Sequence, residues 1–313
     1  MPAPVVAVID IGSNSIKVLV ATRSASGGIL ALATRTIDAR ISAGISKVDP
    51  RLTEDGMTRG LDAIGALLKD AAAFAPVRVI LVATSAVRDA KNGGEFRARV
   101  AAVTGHEIRI LTGDEEANLI GRGLTCDPAL ACLRDFYVFD LGGGSLECLA
   151  FRDREIEQAI SLQLGCVRLT EKFVADVATP FTAEARTKIS DYTEELMANS
   201  GFRFDLTQGV AVFTGGTAST CRAIAAARNG LAFDASPAFL SLDELYLTSG
   251  LVARLNLDER KRLPGLPPAR ADVFPAALAT MLSLAEIVGF DGFHHSLFNL
   301  RYGLAAEALE CLA

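Results

Sequence analysis

Val8-Ile9-Asp10-Ile11-Gly12-Ser13-Asn14-Ser15 and Val138-Phe139-Asp140-Leu141-Gly142-Gly143-Gly144-Ser145 share one plan: an apolar strand, an Asp, an apolar residue, a small turn, a Ser and then another strand. Short apolar runs broken by Gly, Ser and Asn mark hairpins. Two such hairpins, about one domain apart, predict two similar α/β halves facing each other across a central cleft. Around the first, Val5 to Ile9, Ile16 to Ala21 and Ile29 to Ile37 read as a strand meander, turning at Gly12-Ser13-Asn14 and Ser26-Gly27-Gly28. Met57, Leu61, Ile64, Leu68 and Ala71 then fall at steps of four, three, four and three, which is one face of an amphipathic helix after Thr53. Val77 to Ala83, bounded by Pro76, reads as a buried parallel strand. Strand, helix, strand, helix is the order of an α/β domain.

The cycle restarts after Cys126-Asp127-Pro128, with strands near Phe136 to Phe139, Ser145 to Phe151 and Ile156 to Ile160. Thr182 caps a helix whose inward face is Ala185, Ile189, Tyr192 and Leu196. Val210 to Phe213 is a short strand running into Gly215-Gly216, with a helix expected from Ala218. Beyond Pro237 the pattern is mostly helical, interrupted at Pro264 to Pro268 and ending in a helix from about Leu300 to Leu312.

Composition bounds the function. At ~150 residues per domain, 313 residues make about two domains. Half the chain is hydrophobic, 22% is charged and the mean hydropathy is +0.32, so this is a packed protein rather than a disordered or low-complexity one. Lys plus Arg number 31 against 37 acids, a net charge of −6, so the whole surface is no polycation and a nucleic-acid duplex is not expected as a partner. Six cysteines without a C-x-x-C pair and three histidines far from most of them argue against zinc or a disulfide framework. The start Met-Pro-Ala-Pro lacks a basic leader and the first apolar run is cut by Asp10, so neither a signal peptide nor a membrane span is expected, and the setting is read as cytoplasmic.

Glycine and serine turns expose backbone N–H groups that a phosphate can approach closely. Gly12 to Ser15, Gly142 to Ser145 and Thr214-Gly215-Gly216-Thr217 are three such turns. Any one alone reads equally as a tight β-turn; three, two of them with an Asp at the strand end, favour phosphate binding. Asp140 and Glu147, seven apart in a hairpin, can sit opposite each other and form a platform for Mg²⁺. The bland alternative makes Glu147 a solvent-facing strand residue and Asp140 a turn cap. Gly113-Asp114-Glu115-Glu116-Ala117 puts three acids at a helix start, where they either offset the helix dipole or supply a general base. Lys17, Arg88 and Arg168 are the basic candidates for phosphate. The cysteines and His294-His295 read as core and loop residues.

Taken in order, DIGSNS (Asp10 to Ser15), ATSAVR (Ala83 to Arg88), TGDEEA (Thr112 to Ala117), DLGGGSLE (Asp140 to Glu147), LGCVR (Leu164 to Arg168) and TGGT (Thr214 to Thr217) resemble the exopolyphosphatase and guanosine pentaphosphate phosphohydrolase family of the actin-like ATPase superfamily. Weaker matches at Pro264 to Pro267, Arg270-Ala271-Asp272 and Leu300 to Gly303 extend the resemblance to the C-terminus. It implies two actin-like, ribonuclease H-like α/β domains, residues 1–125 with 298–313 and residues 126–297. It implies Mg²⁺-assisted hydrolysis of a terminal phosphoanhydride, with Glu116 as general base and Asp140, Glu147 and Asp10 as metal or water ligands. The backbones of Gly12, Ser13, Asn14 and Ser15, of Gly142, Gly143, Gly144 and Ser145, and of Gly215, Gly216 and Thr217 would cradle phosphates, with Arg88 as a further contact. A homodimer is carried over in the same way.

Departures from the family pattern bear on substrate fit: Lys17 stands where many relatives have Arg, Leu146 where Thr is usual, and Ala276-Ala277 and Asn299 where Gly is frequent. The chain resembles the short, two-domain form. Inorganic polyphosphate and guanosine pentaphosphate offer the same terminal anhydride. A sensor of polyphosphate or guanosine tetraphosphate without catalysis is the alternative from another class, and a sugar or acetate kinase ranks below it. The acidic balance favours shorter polyphosphate chains over a long polyanion track.

Overall fold

A computed structural model of the chain describes residues 3–45, 49–206 and 210–312. Met1-Pro2, part of the leader-free start expected from sequence, lies outside the described residues. In chain order the elements are β1 (Val6–Ile11), β2 (Ile16–Arg23), β3 (Ile29–Ile37), α1 (Glu54–Ala72), β4 (Arg78–Ala83), α2 (Ser85–Arg88), α3 (Gly93–Thr104), β5 (Ile108–Ile110) and α4 (Gly113–Thr125). They continue with β6 (Phe136–Leu141), β7 (Leu146–Arg152), β8 (Glu155–Leu162), α5 (Cys166–Phe173), α6 (Ala183–Asn199), β9 (Val210–Thr214) and α7 (Gly215–Arg228). Last come β10 (Phe239–Ser241), α8 (Leu242–Arg254), α9 (Leu257–Lys261), α10 (Phe274–Val288), β11 (Gly292–Ser296) and α11 (Leu300–Glu310). Two compact units result, Met1–Leu130 with Phe298–Ala313, and Ala131–Leu297.

Each unit is an α/β sheet with helices. Among the described residues the first sheet runs β3-β2-β1-β4-β5 and the second β10-β11-β9-β6-β7-β8. In both, a leading hairpin is antiparallel and its first strand pairs in parallel with the next strand after the meander, β1 with β4 across α1 and β6 with β9 across α5 and α6. Strands buried on both faces must be apolar throughout, and β1 is buried at Val6, Ala7, Val8, Ile9 and Ile11. The repeat goes further than the quoted motif. The third strand of each meander has one extra residue, Leu32 of β3 opposite Val20/Ala21 and Glu157 of β8 opposite Ala150/Phe151, in both cases just after the fifth residue of the second strand. A bulge at matching places bends both meanders alike.

The helix after Thr53 forms as expected, with Thr53 accepting from Gly56, but Leu67 is buried while Leu61 and Leu68 are only half-buried. In α6, Thr182 is the cap, and Thr193 and Met197 replace Tyr192 and Leu196 at the centre of the buried stripe. A helix on a sheet buries a narrow stripe, and its flanks stay partly wet. The region beyond Pro237 is not wholly helical, because β10 and β11 add two strands to the second sheet. The helix expected from Ala218 starts at Gly215, since an extended Thr214 (φ −120°) and Gly215 at φ +84° turn strand into helix with no linker. No helix of the described residues is long and apolar enough to cross a membrane.

Candidate functional site

In the second unit, Asp140 and Glu147 face each other directly across β6 and β7. Glu147 is no solvent-facing residue: it is 2% exposed and accepts a 2.7 Å hydrogen bond from Ser161 Oγ. Between them, Gly142 N–H donates to the Ser145 carbonyl at 3.0 Å and closes the turn. The other loop carbonyls are held from one side by α5. Gly142 accepts from Cys166 N–H at 3.0 Å, Gly143 from Val167 N–H at 2.9 Å, and Gly144 from Arg168 Nε–H at 3.0 Å. In a trans peptide the N–H points opposite to the C=O, so the amides of Gly143, Gly144 and Ser145 are turned away from α5, three in a row. Arg168, expected at a phosphate, braces this loop from behind. Gly165 permits the approach, because a Cβ there would lie 2.2 Å from the Gly144 carbonyl carbon.

The third turn packs against the same Asp. A Cβ on Gly215 would lie 2.2 Å from Asp140 Oδ1, and one on Gly216 2.4 Å from Arg270 Nη1. Arg270 also reaches Thr217 Oγ1 at a long 3.4 Å, and its buried Nε has no partner among the described residues. A guanidinium over the positive end of a helix is unfavourable alone, and an anion shared by the two resolves the conflict. In the sequence Arg270 stands out only by its place in the weakly matching Arg270-Ala271-Asp272 run.

The first unit repeats the device with other parts. Gly12 N–H donates to the Ser15 carbonyl at 3.2 Å, the Asn14 carbonyl accepts from Arg40 N–H at 2.9 Å, and the Ser13 carbonyl accepts from Ser42 N–H at 3.2 Å. The Asn14 and Ser15 amides are thereby turned the other way. Asn14 is 5% exposed, and neither its Oδ1 nor its Nδ2 has a partner among the described residues. Ser13 Oγ lies 3.1 Å from Ser85 Oγ, which ties the turn to α2. The carboxylate pair is changed, however: opposite Asp10 stands Lys17, not an acid. Burial pushes the Asp10 carboxyl above the usual carboxylate range, and the charges of Lys17 and Arg301 pull it back.

Helix α4 starts in a capping box, with Thr112 accepting from Glu115 N–H at 3.1 Å and Glu115 from Thr112 N–H at 2.9 Å. Glu115 also pairs with Arg109 at 2.7 Å, and these contacts hold its carboxyl below its usual value. It therefore fills the structural role. Glu116 is different: it is 6% exposed, and Arg88 Nη1 donates to its Oε2 at 2.8 Å and to the Leu111 carbonyl at 3.1 Å. ATSAVR and TGDEEA thus meet in one ion pair. Cys148, Cys166 and Cys221 are inert candidates, since burial raises all three thiols, Cys221 to about 12.

A family model, that of the Ppx/GppA phosphatase family, matches residues 19–311. The guanosine-5'-triphosphate,3'-diphosphate pyrophosphatase of Pseudoalteromonas translucida is 28% identical over 312 residues, covering 98% of this chain and 58% of its own length. The chain thus spans somewhat over half the length of the curated relatives it matches. Among solved structures, the Ppx/GppA family member of Aquifex aeolicus superposes with a TM-score of 0.80 at 25% identity over 99% of each chain. The exopolyphosphatase of Cytophaga hutchinsonii superposes at 0.88 with 23% identity over 98% of each chain, a likeness of fold. With the family model matching residues 19–311, well over half of the chain, the chain belongs to the Ppx/GppA phosphatase family.

Proposed function

We propose that the chain hydrolyses the terminal phosphoanhydride of inorganic polyphosphate, with Glu116 as general base, Asp140 and Glu147 as ligands for Mg²⁺, and backbone amides as the phosphate cradle. The observation that carries this reading is one hairpin holding both kinds of partner: two opposed carboxylates for a cation and three outward amides for an anion. The donor set fits the ion. Among the described residues no group of three or more His, Cys, Asp or Glu forms a metal cage. Two carboxylates suit a cation that completes its shell with water and phosphate oxygens, as Mg²⁺ does. Asp10, opposite Lys17, already has a cation beside it and is the weakest of the three proposed ligands.

Glu116 orients a water and takes its proton as the water oxygen bonds to phosphorus. The bridging P–O bond breaks, its electron pair leaves with the shortened chain, and orthophosphate is released. Bound Mg²⁺ neutralises charge on the phosphate oxygens. Arg88 fixes Glu116 and is also allotted a phosphate contact. In the second unit Gly142 to Ser145, and Gly215 to Thr217 with Arg270, are the proposed phosphate cradle, with Arg168 keeping the glycine loop in shape; in the first, Gly12, Ser13, Asn14 and Ser15 with Lys17 form the matching turn.

The name of the curated relatives favours a second substrate for the same chemistry, the 5'-terminal phosphate of guanosine pentaphosphate. Orthophosphate release from polyphosphates of graded length and from guanosine pentaphosphate, with and without Mg²⁺, tests both. The expected result is Mg²⁺-dependent release, faster on shorter polyphosphates. Tight binding of these compounds without release would make the chain a sensor instead.

A further inference from the structure

We propose that His295 is a positioning residue that aims the Gly216 amide through Ser219, by donating its Nε2–H to the Ser219 hydroxyl while that hydroxyl donates to the Gly215 carbonyl. Ser219 Oγ lies 2.9 Å from Gly215 O and 3.0 Å from His295 Nε2. A hydroxyl has one proton. A carbonyl only accepts, so that proton belongs on the Gly215 side, and Nε2 must bring its own. The opposite assignment sets two acceptor oxygens 2.9 Å apart. It also puts a proton on Nδ1, which is buried without a partner among the described residues, and an orphaned N–H is costly to bury. Burial, with Arg222 near, pushes the imidazole down to about 4, so at neutral pH the ring holds a single proton.

The relay acts where the chain is least conventional. Gly215 is at φ +84°, and the peptide that follows it carries the N–H of Gly216, a residue on which a Cβ would lie 2.4 Å from Arg270 Nη1. Pinning the carbonyl of that peptide fixes its N–H in the opposite direction. The base of the relay is rigid, because β11 pairs His295 with Phe213 and Ser296 with Thr214, and Thr214 Oγ1 donates to the Ser296 carbonyl at 2.9 Å. An apolar side chain would occupy this buried strand position at lower desolvation cost; what the imidazole adds is a directed N–H.

This inference deepens the hydrolase reading, and its kinetic arm rests on that reading. Nitrogen-15 NMR of the imidazole at pH 7 is expected to show the neutral Nε2–H tautomer, with the Nε2 signal moving in Ser219→Ala. An Nδ1–H tautomer, or no movement, overturns the relay whatever the enzyme turns over. In kinetics, His295→Phe should lower kcat/KM for phosphate release about tenfold at a preserved melting temperature. His295→Gln, which keeps an N–H, should come back to within about threefold. The double variant His295→Phe with Ser219→Ala should be no slower than Ser219→Ala alone, since the two act in series. Additive losses, or a Gln variant as slow as Phe, contradict the proposal. A wild-type protein that releases no phosphate removes the hydrolase reading and leaves the NMR result to decide the relay.

Discussion

A methyl group on Gly165 would sit 2.2 Å from the Gly144 carbonyl carbon and 2.3 Å from the Gly143 carbonyl oxygen. The glycine loop would have to lift off the three N–H groups that hold its carbonyls. Gly165→Ala is therefore expected to destabilise by about 2 kcal/mol in urea unfolding and to lower phosphate release by more than this loss of folded protein explains. Unchanged turnover would show that the loop is not held by α5. At this scale the sequence was readable where periodicity decides geometry. Asp140 and Glu147 are seven apart around a four-residue turn, and a hairpin sets them opposite. It was unreadable where a contact comes from far along the chain. Nothing local says that Arg168 turns inward to Gly144, that Ser85 meets Ser13, or that Arg270 lies on Gly216.

Among elements, the long helices and the two hairpins were legible because their apolar spacing extends over many residues. The strands β5, β10 and β11 were not. β5 and β10 are three residues long, too short to show a period, and β11, as long as β9, carries His294-His295 where an apolar run is the usual mark. That same strand makes stability depend on pH. His295 has a folded value of about 4 against an ordinary 6.5, chiefly through burial. Between those values the unfolded chain binds a proton that the folded chain does not, so stability rises with pH, is fully present above 6.5 and falls as pH drops towards 4. The loss is about 3 kcal/mol. Urea unfolding at pH 7 and pH 4 should show it, superposed on the carboxylate contribution, and His295→Gln should reduce the difference by that amount. An equal difference in both proteins would contradict it.

For the whole molecule, the repeated hairpins foretold two sheets of one kind and the family resemblance implied a first domain that takes in residues 298–313, while the close helix-on-helix contact at the end of the chain needed the structure. Helix α11 lies on α4 in the first unit, close enough that a Cβ on Gly123 would meet Asn299 O at 2.0 Å and one on Gly303 would meet Leu119 O at 2.0 Å. Arg122 and Glu310 clasp the same two helices. Since α4 carries Glu116, the end of the chain supports the proposed base. Gly303→Val is expected to cost about 3 kcal/mol, read by thermal and urea unfolding; a neutral effect would mean that the two helices do not need their close approach. The net charge of −6 is compatible with a phosphate held by peptide N–H groups and a few Arg and Lys side chains. The most direct test is the initial rate of orthophosphate release from short polyphosphate with Mg²⁺ by wild type and Glu116→Gln. The prediction is a fall in kcat of about 10²- to 10⁴-fold with the fold intact; full activity in the variant would contradict Glu116 as the base.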